Sequence, residues 1–225
     1  MYKATRLIML SGLGVMMVLA AGCGSTKPLQ LEASFNKIEL GRSNAADVLN
    51  LLPAKGTLHT DSSVSAFNKK GWSREVGIVT FGQKNSVADR FVYVQRRSSL
   101  TSEKIYLLIR SVIPQDLLEQ PYETDMRKHM AILRYCHEAM ITDARPFNED
   151  QETESIIGLG RTALTVAILQ LDKRPREAYK LLSKDGFDFD HSTLNVCHAA
   201  LRQDTDNIYT VAVRSKATPD PFTRW

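Results

Sequence analysis

The stretch "REVGIVTFGQKNSVADRFVYVQRRSSLTSEKIYLLIRSVI", residues 74–113, contains three short apolar runs whose side chains alternate with the two-residue period of a β-strand. Polar segments, residues 82–88 and 95–103, separate the runs and suit hairpin connections. The stretch therefore predicts a three-stranded antiparallel meander. The alternating residues are Val76, Ile78 and Thr80 against Val79 and Phe81, then Phe91, Tyr93 and Gln95 against Val92 and Val94, then Ile105, Leu107 and Ile109 against Tyr106 and Leu108.

A helix precedes this meander and runs to about Leu52. Ser43 or Asn44 can supply its N-cap, because both side chains accept hydrogen bonds from the first free N–H groups of a helix. Pro53 and Gly56 stop it. We therefore predict an α+β fold class, with a helix packed on a small antiparallel sheet. The predicted buried stripe of the helix consists of Ala45, Val48, Leu49 and Leu52.

The first 22 residues have the layout of an export signal, with Lys3 and Arg6 before an apolar run of about 15 residues. That run is shorter than the roughly 20 residues that a membrane-spanning helix needs, although a retained anchor stays the alternative. The sequence "LAAGC" resembles the lipobox of bacterial lipoproteins, in which Cys23 becomes the lipidated first residue. Leu19 lies four residues before the cysteine, where the lipobox leucine usually lies three before it.

The lipobox resemblance implies a signal peptide at residues 1–22 and acyl chains, palmitate among them, on Cys23. Gly24 stands where an aspartate usually signals retention in the inner membrane, so we expect an outer-membrane protein that faces the periplasm. Residues 23–34 read as a polar tether, and residues 215–225, with two prolines, as a flexible tail.

The charge of the chain argues against a nucleic-acid-binding protein. The formal net charge of +4 falls to +2 when Lys3 and Arg6 leave with the signal, so the mature chain is nearly balanced, and lysines and arginines form no cluster with interleaved aromatic residues. We therefore expect outer-membrane lipid and an envelope protein complex as partners, and no nucleic acid.

The segment "FNKIELGRSNAADVLNLLP", residues 35–53, is similar to the opening motif of the SmpA/OmlA (BamE-like) family of outer-membrane lipoproteins. The glycine that normally precedes the proline of this motif is missing, and the family's second helix would fall on residues 62–70. The matching residues are Ile38, Gly41, Ser43, Asp47, Val48, Leu52 and Pro53.

This resemblance covers residues 35–114 and implies a BamE-like helix plus three-stranded meander. It implies a non-catalytic scaffold or accessory factor in barrel-protein assembly, without a cofactor. Gly41 would supply an unusual backbone angle, and Ser43 would cap the helix. The implied interaction motif is Ile38, Gly41, Ser43, Asp47 and Val48.

The second half, residues 115–214, reads as mainly helical with a final strand. Apolar stripes predict helices at residues 124–144 and 150–172, and a third helix follows from Pro175. The final strand, "NIYTVAVRSK", could extend the first sheet and join the two halves, which the sequence leaves open. A fourth helix is predicted from near Asp190, with Leu194, Cys197, His198 and Leu201 on its buried side.

Cys136 and Cys197 are each followed by a histidine, and three interpretations stay open. An oxidising compartment favours a disulfide between them. Both can also be buried free thiols, or they can bind a metal together with His137 and His198. The usual spacing of two to four residues between paired zinc ligands is absent.

The sequence predicts no catalytic site. The segment "GLGRTA", residues 158–163, matches a dinucleotide-binding fingerprint, but a polar stretch precedes it where that motif requires a strand. We interpret it as a packing motif.

A second hypothesis places the chain in another envelope complex, such as a secretion or conjugation apparatus, bound through its helical half. A third treats the Cys/His helices as a small-ligand or metal-binding module.

Overall fold

A computed structural model describes residues 31–52, 57–59, 63–70, 73–98, 103–143, 151–173 and 197–215. Its elements are α1 (Leu31–Phe35), α2 (Ala45–Leu51), β1 (Thr57–His59), β2 (Ser63–Lys70), β3 (Ser73–Phe81), β4 (Ala88–Ser98), β5 (Glu103–Val112), α3 (Gln115–Glu119), α4 (Asp125–Asp143), α5 (Gln151–Leu171), β6 (Cys197–Gln203) and β7 (Ile208–Ser215). Within the described residues, an antiparallel sheet of seven strands has the order β1-β2-β3-β4-β5-β7-β6. The predicted α+β fold class is confirmed.

The predicted meander is confirmed as β3, β4 and β5. β3 pairs with β4 from Ser73 opposite Arg97 to Phe81 opposite Ala88, and β4 pairs with β5 in the same antiparallel manner. The alternation of apolar side chains thus predicted both the strands and their order.

The final predicted strand is confirmed as β7, and it answers a question that the sequence left open. β7 pairs with β5, with Tyr106 opposite Arg214 and Val112 opposite Ile208. Because the two strands share a backbone ladder, the predicted segments 35–114 and 115–214 contribute to one sheet.

The helix predicted from near Asp190 is wrong from Cys197 onward, because residues 197–203 form β6. This strand pairs with β7 along its whole length. Cys197 is buried and His198 is exposed, as alternation in a strand requires. A seven-residue segment fits a helical or a strand pattern almost equally well, and the hairpin with β7 decides between them.

The three other predicted helices that fall on described residues are confirmed as α2, α4 and α5. The helix predicted from Pro175 lies outside the described residues. The predicted tail also lies outside them, except for Ser215, which ends β7.

Two predictions for the chain before β3 are corrected. Residues 31–34, assigned to the polar tether, belong to α1, because Leu31 and Phe35 lie one helical turn apart and are both fully buried. Residues 62–70, where the second helix of the BamE-like family would fall, contain β2, which pairs with β3 over its full length.

α4 and α5 cover one face of the sheet and form a continuous apolar core with it. The backbone of α5 comes closest to the sheet at Gly160. A Cβ atom there would lie 2.9 Å from Val94 and 3.0 Å from Met140, so only glycine fits without a shift of its neighbours. The strand residues in this core include Val76, Ile78, Val92, Ile105, Leu107, Ile109, Val211 and Val213.

α1 and α2 cover the opposite face, so the sheet is the middle of three layers. The Phe35 ring stacks on Phe91 with 5.8 Å between ring centroids. The same ring lies directly over Gly77, where a Cβ atom would come within 1.7 Å of it. Gly77 therefore provides the space in which α1 docks.

α5 is, within the described residues, long and apolar enough to cross a membrane by length and composition. In the structure it packs against α4 and against several strands, and much of its surface is buried. Its apolar character is accounted for by this place in the core.

We expect Gly77→Ala to lower the free energy of unfolding by about 1–3 kcal/mol, the usual cost of overpacking a core, because the new methyl group overlaps the Phe35 ring. Combined with Phe35→Leu, it should cost less than the sum of the two single changes, since leucine vacates part of that space. Urea unfolding followed by circular dichroism measures all three variants. If the losses of unfolding free energy in the two single variants were additive, Phe35 would not pack against Gly77.

Candidate functional site

The residues that resemble the BamE-like interaction motif lie in a tight corner between α1 and α2 and in the first turn of α2, and the corner is hydrogen-bonded to the start of β4. Gly41 has a φ of 80°, the unusual backbone angle expected there, which L side chains rarely adopt. Its N–H donates to the Ala88 carbonyl at 2.7 Å, and the Ala88 N–H donates to the Ser43 carbonyl at 2.7 Å. These reciprocal hydrogen bonds fix the corner against the sheet.

Asn44 caps α2, and Ser43 does not. The Asn44 Oδ1 accepts the N–H groups of Ala46 at 2.8 Å and Asp47 at 3.1 Å, and the Asp47 Oδ2 accepts the Asn44 N–H at 2.9 Å. This exchange is a capping box. Ser43 is buried, and its hydroxyl oxygen accepts the Glu39 N–H at 3.0 Å, so it shapes the turn before the helix.

The motif residues divide between core and surface. Ile38 and Val48 are buried, while Gly41 and Asp47 are exposed. Leu49, predicted to lie on the buried stripe of α2, is 37% exposed. We call Gly41, Asp47 and Leu49 the motif surface, because these residues of the corner can contact another molecule.

A cleft of about 500 Å³ opens beside Gly41. Three turns meet there at one end of the sheet: the motif corner, the β3–β4 turn and the β6–β7 turn. Its lining combines apolar side chains with a few polar groups, which is the usual composition of a binding cleft. The lining includes Leu40, Val112 and Ile208 together with Lys84, Asp89 and Asn207.

Asp204 fixes the β6–β7 turn that contributes to this cleft. Its carboxylate, only 11% exposed, accepts hydrogen bonds from the Arg110 Nε at 3.0 Å and from the Arg202 Nε at 2.8 Å. The Thr210 hydroxyl donates to the same carboxylate. Charge-assisted bonds of this kind are stronger than neutral ones, so the turn presents its residues to the cleft in a fixed geometry.

Polar side chains form a row across the sheet beneath α1, at the end opposite the cleft. Glu75, Gln95, Tyr106 and Arg214 lie side by side on β3, β4, β5 and β7, and we call them the polar row. The Gln95 amide donates to the Glu75 carboxylate at 2.6 Å. The Arg214 guanidinium lies 4.8 Å from the centroid of the Tyr106 ring.

Glu32 on α1 is coupled to this row. Burial raises the pKa of Glu32 above the ordinary glutamate value, and the nearby Glu75 carboxylate raises it further. The positive charges of Arg214 and Arg97 act in the opposite direction but do not cancel the effect.

Cys136 on α4 and Cys197 on β6 are buried free thiols, so the predicted disulfide is not formed in the structure. Both elements pack against α5, and each thiol is enclosed in the apolar core that α5 shares with the sheet. Burial raises the pKa of both thiols to about 12. A thiol in this environment is a poor nucleophile, because the thiolate is the reactive form.

The two histidines do not join the cysteines in one site. His137 lies between α4 and α5, with its Nε2 2.8 Å from the Thr165 hydroxyl, and burial lowers its pKa. His198 was predicted to face the core and is exposed on β6. Among the described residues, no group of three or more His, Cys, Asp and Glu side chains is placed to hold a metal ion.

The glycine-rich segment of residues 158–163 lies in the middle of α5. Its Gly160 permits the close approach to Val94 and Met140. Its interpretation as a packing motif is confirmed.

Comparison of the chain with protein-family models, with curated proteins and with solved structures found no match. The BamE-like resemblance therefore stays a prediction from the motif residues. Function has to be inferred from the motif surface, the cleft and the polar row.

We expect Cys136 and Cys197 to be unreactive towards Ellman's reagent in the folded protein and to give two thiols per chain in guanidinium without reductant. Burial and the raised pKa protect both groups until the core opens. The substitution Cys23→Ser removes the third cysteine, so that the thiol count refers to Cys136 and Cys197 alone. Thiols that appear in guanidinium only after a reductant is added would show that the pair is oxidised.

Proposed function

We propose that the chain is a lipid-anchored, non-catalytic protein of the outer membrane that faces the periplasm and acts as a scaffold or accessory factor in barrel-protein assembly. The motif corner carries this proposal. The residues that resemble the family's interaction motif adjoin one another there, with Ile38, Ser43 and Val48 buried beneath the exposed Gly41 and Asp47. Partner contacts can therefore use a surface that the core holds rigid.

A scaffold of this kind needs no large interface. Acyl chains on Cys23 would confine the protein to the bilayer surface and raise its concentration near a membrane-embedded partner. A modest contact through the motif surface and the adjoining cleft then suffices.

The charge distribution supports an orientation relative to the membrane. The register places Arg97 on β4 directly opposite Lys104 on β5, on the same face of the sheet as the polar row and two residues beyond it. Like charges on directly opposite residues destabilise a sheet, whereas anionic headgroups would offset them.

α1 enters the fold at this same end, since Glu32 lies near Arg97, and it begins eight residues after Cys23. Eight residues span at most about 28 Å. The cationic end of the sheet would thus face the bilayer, and the motif surface and cleft at the opposite end would face the periplasm.

We expect Cys23→Ser to abolish labelling by a palmitate analogue and to remove the protein from the outer-membrane fraction, because lipidation requires that sulfur. Cys136→Ala serves as the matched control, since its thiol is buried and should not affect the label. Metabolic labelling and fractionation of envelopes measure both effects. Labelling that persists after Cys23→Ser would contradict the anchor.

A second candidate function is supported by apolar side chains on the helical half. Met126 and Ile141 on α4 and Leu171 on α5 are 55%, 36% and 39% exposed. In a component of a secretion or conjugation apparatus, these three side chains would form part of a contact made by α4 and α5.

We expect the tagged, lipidated chain, purified from detergent-solubilised envelopes, to bring barrel-assembly components with it, as identified by mass spectrometry. Gly41→Val and Asp47→Lys should remove them. Valine does not tolerate the positive φ of Gly41, and lysine reverses a charge on the motif surface.

Two control variants distinguish the loss of a surface contact from the loss of stability. Gly41→Asn accepts the left-handed backbone, and Asn44→Ala weakens the cap of α2 by about 1 kcal/mol without changing a charge. Both should retain the partner. Partners lost only with Met126→Glu and Leu171→Glu would establish the second candidate function, and partners insensitive to all of these changes would contradict both.

A further inference from the structure

α1 is the first described element after Cys23, and both apolar and titratable side chains join it to the sheet. We propose that α1 is a pH-sensitive clasp, which fixes the anchored end of the chain to the sheet and opens more often as the pH rises. The clasp goes beyond the proposed function, and only its effect on the reach of the anchor rests on lipidation of Cys23.

The geometry of α1 places one acidic side chain between two apolar ones. Leu31 and Phe35 are fully buried, and Phe35 stacks on Phe91. Between them in sequence, Glu32 lies over the polar row, where charged and titratable groups from four strands face it. These are Glu75 on β3, Tyr93 and Arg97 on β4, Tyr106 on β5 and Arg214 on β7.

The polar row accommodates a neutral Glu32 better than an ionised one. Glu75 is only 9% exposed, and its Oε1 accepts the Gln95 amide. Its Oε2 is buried without a hydrogen-bond partner among the described residues. A second negative charge from Glu32 would lie close to this carboxylate in a region with little water, and the arginines offset only part of that penalty.

The sign of the pH dependence follows from the two states of α1. In the docked state the pKa of Glu32 is raised, whereas in the open state Glu32 is in water and returns to its ordinary value of 4.5. Below that value both states are protonated and docking has its full strength. As the pH rises through the raised pKa, this contribution is lost, because the docked state has to hold an ionised carboxylate.

The opening of α1 would lengthen the anchor. Leu31 and Phe35 keep α1 docked most of the time, and Glu32 sets how often it opens. When it opens, the first buried residue of the described part of the chain is Ile38, which follows Cys23 by 15 residues. In the docked state that residue is Leu31, which follows Cys23 by eight. Each added residue can extend the reach by up to about 3.5 Å.

Hydrogen exchange of the mature, lipidated chain in detergent tests the clasp. The amides of Asn36 and Ile38 donate to the carbonyls of Glu32 and Phe35 at 2.9 and 3.0 Å, so they report the opening of α1. We expect their protection, corrected for intrinsic exchange, to fall as the pH rises from 4.5 through the raised pKa of Glu32. The fall should be about tenfold for each pKa unit that separates the docked and open states. Protection of amides in the β5–β7 pair should stay constant.

Three variants assign the effect to Glu32. Glu32→Gln should keep protection high at every pH, because the amide does not titrate. Glu39→Gln is the matched control, since this glutamate is 68% exposed in the motif corner, and it should preserve the fall. Arg214→Gln removes a positive charge that favours ionised Glu32, so the fall should move to higher pH.

Constant protection of α1 in the unsubstituted chain would overturn the clasp, as would a fall that survives Glu32→Gln. If Glu32→Gln does not fold, an NMR titration of the Glu32 carboxyl carbon in the unsubstituted chain decides instead. A midpoint at the ordinary glutamate value would then reject the clasp. The hydrogen-exchange and NMR measurements require neither a partner protein nor a function of the acyl chains. Either result therefore leaves the proposed function to be tested separately.

Discussion

The backbone ladder between β5 and β7 is the interaction on which the rest of the structure depends. It pairs the strand that precedes α3, α4 and α5 with a strand that follows them, and it thereby places α5 against the centre of the sheet. The same ladder supplies both ends of the molecule with functional groups. Arg214 enters the polar row at one end of β7, and the turn before β7 contributes Asn207 to the cleft at the other.

Local signals were sufficient to predict β3, β4, β5, β7, α2, α4 and α5, because each has a clear period or an N-cap in its own sequence. The segments that form β6 and α1 were predicted wrongly for the same reason. Segments of seven and five residues contain too few repeats of the apolar pattern to distinguish a strand from a helix, or a helix from a polar tether. Of the candidate site, the angle of Gly41 was predictable from its place in the motif. The cleft was not, because three turns distant in sequence build it, and only the sheet register brings them together.

Two glycines show how differently the same residue type acts in this fold. Gly41 is exposed, and a Cβ atom there would meet no other atom within 4 Å, so glycine is needed for its backbone angle alone. Gly77 lies in a regular strand, and glycine is needed there for the space that the Phe35 ring occupies. The first shapes a surface that a partner can reach, and the second decides whether α1 can dock.

The polar row is difficult to explain as a source of stability. Its Glu75 carboxylate and that of Glu32 on α1 lie near each other and lose hydration, and replacing buried charged groups by apolar residues of similar volume is often neutral or stabilising. An apolar side chain at position 32 would extend the contact of Leu31 and Phe35 and would hold α1 more firmly. The proposed clasp would instead make the docking of α1 depend on protonation, at the side of the sheet where a chain anchored at Cys23 would join it. A sheet held together by the β5–β7 ladder, and joined to its anchor through a helix of adjustable stability, would separate two tasks. The far end would keep the geometry of the motif surface, while the near end would adjust its distance from the membrane.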